Sequence, residues 1–324
     1  LLGKKAYSFQ RHNSVVESIT SSGKKHVVIL YGGMSAEREV SLMSNDNVQA
    51  ALISNGYQVT RIDVGQDIAV KLSEITRPYT VFNCLVGTYG EDGCIPGLLN
   101  IMNIPYTHSG VKTSAAAFDK QIAKTILQCY KIKTPASITI NSNDNVIDDP
   151  ILRPYVIKPL QQGSSIGVKI VHLEDKFLFK DYKFQFGNKV LVEQYIKGRE
   201  LQVALLDGKV VGILEIKMLK DKIFYDYQSK YSPGFAEHII PPMLPVNTVN
   251  QIMNIAEKVY KIFDCRGPCR LECILSDIDN EVYVIELNTH PGMTSLSSYP
   301  EIAQYYGISF NELVERILIT AKCD

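Results

Sequence analysis

Two runs in the last quarter of the chain carry the residue types of a metal site: Cys269-Arg270-Leu271-Glu272 and Glu286-Leu287-Asn288-Thr289-His290-Pro291-Gly292-Met293-Thr294. Each begins as a strand, and the polar stretch from Asp277 to Asn280 between them predicts a turn. Strand side chains alternate in facing, so Arg270 and Glu272 share one face, as do Glu286 and Asn288. A roughly symmetric hairpin sets Glu272 near Glu286, and opposed like charges destabilise a sheet. Something cationic should therefore lie between them. Two carboxylates and an amide, with no imidazole or thiolate among them, suit Mg²⁺ better than zinc. Magnesium held this way usually carries substrate phosphates, which points to an enzyme acting on a nucleoside triphosphate.

Three other stretches could serve such a site. In Gly32-Gly33-Met34-Ser35-Ala36-Glu37-Arg38-Glu39-Val40-Ser41, two glycines join a strand to a helix. A ligand can there approach the backbone and the anion-favouring helix N-terminus, while Glu37 could meet an ammonium group. An amino acid carries both charges. Alone, the plainer reading prevails: Glu37 and Glu39 offset the helix dipole by about 0.3–1 kcal/mol each. The run from Lys158 to Val168 holds Gln161-Gln162-Gly163-Ser164-Ser165-Ile166-Gly167 between two strands. It lacks the Gly-Lys-Ser/Thr of a P-loop and the dinucleotide fingerprint, and fits a flap over phosphates, or an ordinary hairpin loop. Phe224 to Gly234, with Lys230-Tyr231 before Pro233-Gly234, reads equally as a lid or as an aromatic surface loop.

The elements that must position these residues follow from periodicity. Strands are expected at 25–31, 57–64 and 80–85, with a helix between the first two whose inward face holds Val40, Met43, Val48, Ala51 and Leu52. That alternation predicts an open parallel α/β sheet. Further strands are expected at 154–159 and 168–171 and a helix at 249–263, within a mixed sheet beyond Val190. The three functional runs and the hairpin fall in three compact units, as a ligase site at a domain junction would.

Bulk properties exclude other classes. The 324 residues suffice for two or three cores, and 34 Lys and Arg balance 34 Asp and Glu, so nothing favours a nucleic-acid partner. No apolar run is long enough to cross a bilayer. Residues 1–25 lack the apolar centre of a secretion signal and are expected to be a flexible extension. Seven scattered cysteines are an odd, sparse set for a disulfide framework, and the 265, 269, 273 spacing fits no common zinc or iron–sulfur pattern. A reducing cytoplasm is expected, with no membrane association.

Taken together, the motifs closely resemble the D-alanine–D-alanine ligases of the ATP-grasp superfamily, over roughly residues 24–321. The resemblance rests on residues 32–41, Gly-Glu-Asp-Gly at 90–93, Pro-Tyr-Thr-His-Ser-Gly-Val at 105–111, and Lys-Pro through Gly at 158–167. Phe-Tyr-Asp-Tyr through Lys-Tyr at 224–231 and Glu-Leu-Asn-Thr-His-Pro-Gly-Met-Thr at 286–294 complete it. It implies an α/β (α+β overall) three-domain ATP-grasp architecture. The N-terminal α/β substrate domain would span 26–110, a central subdomain 111–192, and a C-terminal domain with metal site and lid 193–324.

The activity implied is ATP-dependent joining of two D-alanines through a D-alanyl phosphate, for peptidoglycan synthesis. By the same resemblance, Lys120 and Lys158 meet ATP phosphates, Glu193 and Glu200 lie near adenine and ribose, and Phe224 and Lys230 also contact ATP. Glu272, Glu286 and Asn288 hold two Mg²⁺ ions, which Mn²⁺ could replace. Glu37, Ser164 and Tyr231 form a hydrogen-bonded trio at the first D-alanine. Arg270 with a backbone N–H near Gly292 stabilises the oxyanion, and Ser297 binds the second carboxylate. A homodimer is implied as well.

Two positions depart from the family. Val86 stands where His is usual, which implies weaker or retuned binding of the first D-alanine, and Glu272 stands where Asp is usual, which should leave metal binding intact. Other readings are a ligase joining D-alanine to D-lactate, or a nucleotide-binding relative with impaired turnover.

Overall fold

The computed structural model describes residues 25–219 and 235–324. The extension expected before Lys25, and Phe224, Lys230 and Tyr231 of the expected lid, lie outside the described residues.

Three sheets organise the rest. The first contains β1 (His26–Tyr31), β2 (Gln58–Asp63) and β3 (Thr80–Asn83), ordered β2-β1-β3 and parallel throughout. Its crossovers include α1 (Arg38–Ser54) and α2 (Ile68–Glu74), and α3 (Cys94–Ile101) follows β3. Helix α1 turns Val40, Ser44, Val48, Ala51 and Leu52 inward. Met43, expected on that face, is instead 44% exposed. At 100° per residue it falls outside the arc the other five define, so its apolar character misled the periodicity.

A four-stranded antiparallel sheet follows, ordered β4-β7-β5-β6, from β4 (Ser137–Asn141), β5 (Tyr155–Pro159), β6 (Lys169–Val171) and β7 (Lys189–Gln194). Strand β7 runs through residue 192 and pairs wholly within this sheet. The third sheet is antiparallel, ordered β10-β9-β8-β11-β12, from β8 (Gly198–Leu206), β9 (Lys209–Met218), β10 (Ala236–Ile239), β11 (Pro268–Ser276) and β12 (Val282–Asn288).

The cores do not follow the order of the chain. Helices α4 (Val111–Phe118), α5 (Lys120–Cys129) and α6 (Val246–Ile262) pack on the five-stranded sheet, where Ala117, Ala123 and Leu127 meet Leu201, Val203, Leu271 and Cys273. After α7 (Ser298–Tyr305), helix α8 (Phe310–Leu318) returns to the parallel sheet. There Leu313, Val314, Ile317 and Leu318 share one core with Val27, Ile29, Val48 and Leu52. Each buried Leu or Ile in these clusters contributes about 1.5–3 kcal/mol relative to exposure. No helix among the described residues is long and apolar enough to cross a membrane.

Candidate active site

The β11–β12 hairpin has the register its composition called for: Glu272 lies opposite Glu286 and Arg270 opposite Asn288. Between these strands Cys269, Leu271, Cys273 and Leu287 enter the core, so the polar residues of the same strands turn into a cleft. Pairing shifts just past Glu272, a bulge of the kind that re-aims side chains beside active sites. Arg270 Nη2 donates to Glu272 Oε1 at 2.6 Å, and Lys120 Nζ stands 3.8 Å from Glu286 Oε2. The Asn288 amide oxygen accepts the His290 N–H at 2.7 Å and keeps a second lone pair.

This set fits magnesium by its chemistry. Among the described residues no three His, Cys, Asp or Glu side chains gather as a metal group. Two carboxylates and an amide oxygen suffice for an ion whose remaining ligands are water and phosphate oxygens.

The cleft, about 620 Å³ with its open mouth, draws its walls from all three sheets and their loops. Glu37 enters from the first unit. It occupies the N-cap position of α1 without capping it through its side chain, so its carboxylate does not merely close the helix. Buried to 2% exposure, that carboxylate accepts the Ser164 hydroxyl from the flap loop, 127 residues away. The loop is built for close approach. Ser164 and Ser165 hold φ of 48° and 59°, sparsely populated for residues other than glycine. A Cβ on Gly163 would stand 2.8 Å from a Glu37 oxygen, so any side chain there would push the Glu37 carboxylate aside.

Val86, in the wall near Glu37, presents its carbonyl to the Ser35 hydroxyl at 2.6 Å. Glu91, one helical turn past Gly87, accepts the Gly87 N–H at 3.1 Å. Burial, then the nearby Glu37 charge, pushes the Glu91 carboxyl up to about 8. A strongly shifted acid in a cleft marks a functional candidate.

Beside the cleft, Lys158 on β5 and Lys124 on α5 both grip Glu193 on β7, with Lys124 Nζ at 2.6 Å. Burial works against all three charges, yet Lys158 and Lys124 together hold Glu193 below the usual carboxylate range. Asp119 caps α5 through the N–H groups of Gln121 and Ile122, which fixes Lys120 in the first turn and Lys124 one turn later. Lys120 Nζ also donates to the Gln162 carbonyl of the flap at 2.6 Å. Glu200 lies on β8, in register with Ile274 of β11. Beyond the hairpin, Ser297 precedes α7, accepts the Thr294 N–H at 3.1 Å, and would crowd any Cβ on Gly292.

Glu37, Ser164, Arg270, Gly292, Ser297, Glu272, Glu286 and Asn288 therefore line one cleft. Lys120, Lys158 and Glu193 form its charged neighbours. Glu91, Lys124 and Gln202 were not singled out from sequence. Lys124 had a signal, being four residues after Lys120 on a helix. Gln202, buried on β8 and accepting the Ser298 hydroxyl, had none.

Comparison with known proteins agrees with this geometry. The family described as D-ala D-ala ligase C-terminus matches residues 131–319. The D-alanine–D-alanine ligase of Rickettsia felis is 57% identical, covering 97% of this chain and 98% of its own. That of Rickettsia typhi is 56% identical over the same shares. Crystal structures of the Bacillus anthracis D-alanine–D-alanine ligase, one complexed with ATP, superpose with a TM-score of 0.77 at 29% and 28% identity. Both cover 91% of this chain and 97% of theirs. The three sheets are thus those of an ATP-grasp fold, and with a full-length match above half identity, the chain belongs to the D-alanine–D-alanine ligase family.

Proposed function

We propose that this protein joins two D-alanine molecules with ATP, giving D-alanyl-D-alanine, ADP and phosphate for peptidoglycan synthesis. The observation that carries it is one cleft lined both by an ammonium-type carboxylate, Glu37, and by a phosphate-type hairpin, Glu272–Glu286–Asn288, with Arg270.

Glu37 receives the ammonium of the first D-alanine, and Ser164 keeps the carboxylate turned toward it. Lys120 and Lys158 meet the ATP phosphates, while Glu193 and Glu200 serve the adenosine side, Glu193 also fixing Lys158. Glu272, Glu286 and Asn288 would hold Mg²⁺, whose charge offsets that of the β- and γ-phosphates. A carboxylate oxygen of the first D-alanine forms a bond to the γ-phosphorus as the bond to ADP breaks, leaving an acyl phosphate. The amine of the second D-alanine, with its carboxylate on Ser297, then attacks the carbonyl carbon. Arg270, steadied by Glu272, and an N–H near Gly292 receive the oxyanion. Phosphate leaves and the ammonium proton goes to solvent. Removing one oxyanion donor commonly costs about 10²–10³ in rate. Phe224, Lys230 and Tyr231 complete the proposed lid, which excludes water from the acyl phosphate. A homodimer in a reducing cytoplasm fits the family resemblance and seven free cysteines.

The test is phosphate release from Mg-ATP with and without D-alanine, following dipeptide in the same tube. Release that needs D-alanine and matches dipeptide one for one bears the reading out. ATP binding without such release would replace it with a nucleotide-binding relative of impaired turnover, and D-lactate outcompeting D-alanine as acceptor would replace it with the depsipeptide type.

A further inference from the structure

The segment after β12 is held against the first unit by an unusual contact. The rings of His108 and His290, 182 positions apart, stack with centroids 4.6 Å apart and planes 9° from parallel. Both are essentially buried, at 2% and 3% exposure. Each Nδ1 meets the hydroxyl of the residue just before it, Thr107 at 2.8 Å and Thr289 at 3.0 Å. Behind His108 the edge of Phe82 from β3 closes the stack at 5.8 Å and 88°. The His108 carbonyl accepts Arg266 Nε at 2.7 Å.

Two features show that the pair is held by more than ordinary packing. His108 adopts φ of 75°, a left-handed backbone that side chains rarely take and that persists where surroundings over-determine it. His290 Nε2 is buried without a hydrogen-bond partner among the described residues. The contact that joins the two units is therefore the face of the ring.

The consequence lies two residues upstream. The His290 backbone N–H donates to Asn288 Oδ1. An Asn side chain can present oxygen or nitrogen, and its network decides which. This N–H selects oxygen, with one lone pair left for a cation, and the stacked ring fixes where the N–H points. We infer that His108 and His290 are positioning residues, a ring stack between two units that orients the Asn288 oxygen for magnesium. The inference rests on the ligase reading for the identity of the ion, but not on turnover.

The experiment is calorimetric ATP binding at increasing Mg²⁺, on full-length wild type, His290→Ala, His290→Phe and His108→Gly. Partners that orient metal ligands typically contribute 10–100-fold to metal affinity. His290→Ala and His108→Gly should raise the Mg²⁺ needed for half-maximal ATP binding about tenfold. Metal-free ATP affinity should not change. His290→Phe, which keeps a stacking face, should recover most of the loss. His108→Gly relaxes the left-handed backbone, so it tests the stack even if His290→Ala fails to fold. An unchanged Mg²⁺ requirement in His108→Gly, whatever happens to its Tm, would overturn the inference. A wild type that binds Mg-ATP yet releases no phosphate with D-alanine would sink the ligase reading alone.

Discussion

Two carboxylate clusters, one lining the cleft and one buried beside it, are neutralised in different ways. Glu193 is closed: Lys124 and Lys158 supply its counter-charges from two other elements, and all three side chains are largely buried. Glu272 and Glu286 are open: they face each other across a hairpin, with Arg270 on one and Lys120 at 3.8 Å from the other. A closed cluster makes a rigid wall that presents Lys158. The open cluster gains most when a cation arrives with substrate. The difference lies in the counter-charge: two ammonium groups share the single carboxylate of Glu193, whereas two opposed carboxylates have one cationic side chain near each.

Removing one partner from each cluster should separate these roles. Glu193→Gln leaves two buried ammonium groups short of a counter-ion, a change that typically costs about 3–5 kcal/mol, read by urea unfolding. Unaltered stability would mean the cluster is hydrated and the distinction false. Glu286→Gln should instead leave stability within about 0.5 kcal/mol of wild type, because it relieves opposed like charges. Its D-alanine-dependent phosphate release should fall about 100-fold, since bound-metal charge stabilisation is worth several kcal/mol.

Glu91 sharpens the comparison further, being a buried acid with no cation in direct contact among the described residues. Its folded-state pKa is raised to about 8, so its neutral form favours the fold. That contribution is complete below the ordinary carboxylate range and is lost as pH rises toward 8. Wild-type stability should decline over that window with a slope of at most about 1.4 kcal/mol per pH unit from this group. Glu91→Gln should flatten it in pH-dependent unfolding. A slope identical in the two proteins would show that Glu91 ionises freely.

The smallest effect is expected at Val86. Val86→His would add a polar group beside Glu37, and one hydrogen bond of about 0.5–1.5 kcal/mol corresponds to a roughly 2–10-fold lower KM for the first D-alanine. An unchanged KM would show that the valine is neutral there.

The hairpin was legible because strand period and turn length are local: once Asp277 to Asn280 turns, Glu272 must approach Glu286. The parallel pairing of the first sheet was legible from the alternation of strand and helix, but its order β2-β1-β3 was not. The Glu37–Ser164 bond could be named only by resemblance, since nothing local links residues 127 apart. The Lys124–Glu193 pair and the His108–His290 stack were not legible, although both histidines lie within motifs that carry the family resemblance. Their roles depend on which unit packs on which, and sequence periodicity is silent on that. Met43 differs for a simpler reason: its apolar side chain sits outside the inward arc of the helix.

The return of α8 to the first sheet also bears on how the chain is made. During synthesis β1 and α1 emerge before the other two sheets, yet the apolar face formed by Val27, Ile29, Val48 and Leu52 receives Leu313, Val314 and Ile317 only after both of those sheets have been made. Until then the growing chain carries an unfinished hydrophobic surface, the kind of intermediate that chaperones shield and that aggregates when crowded.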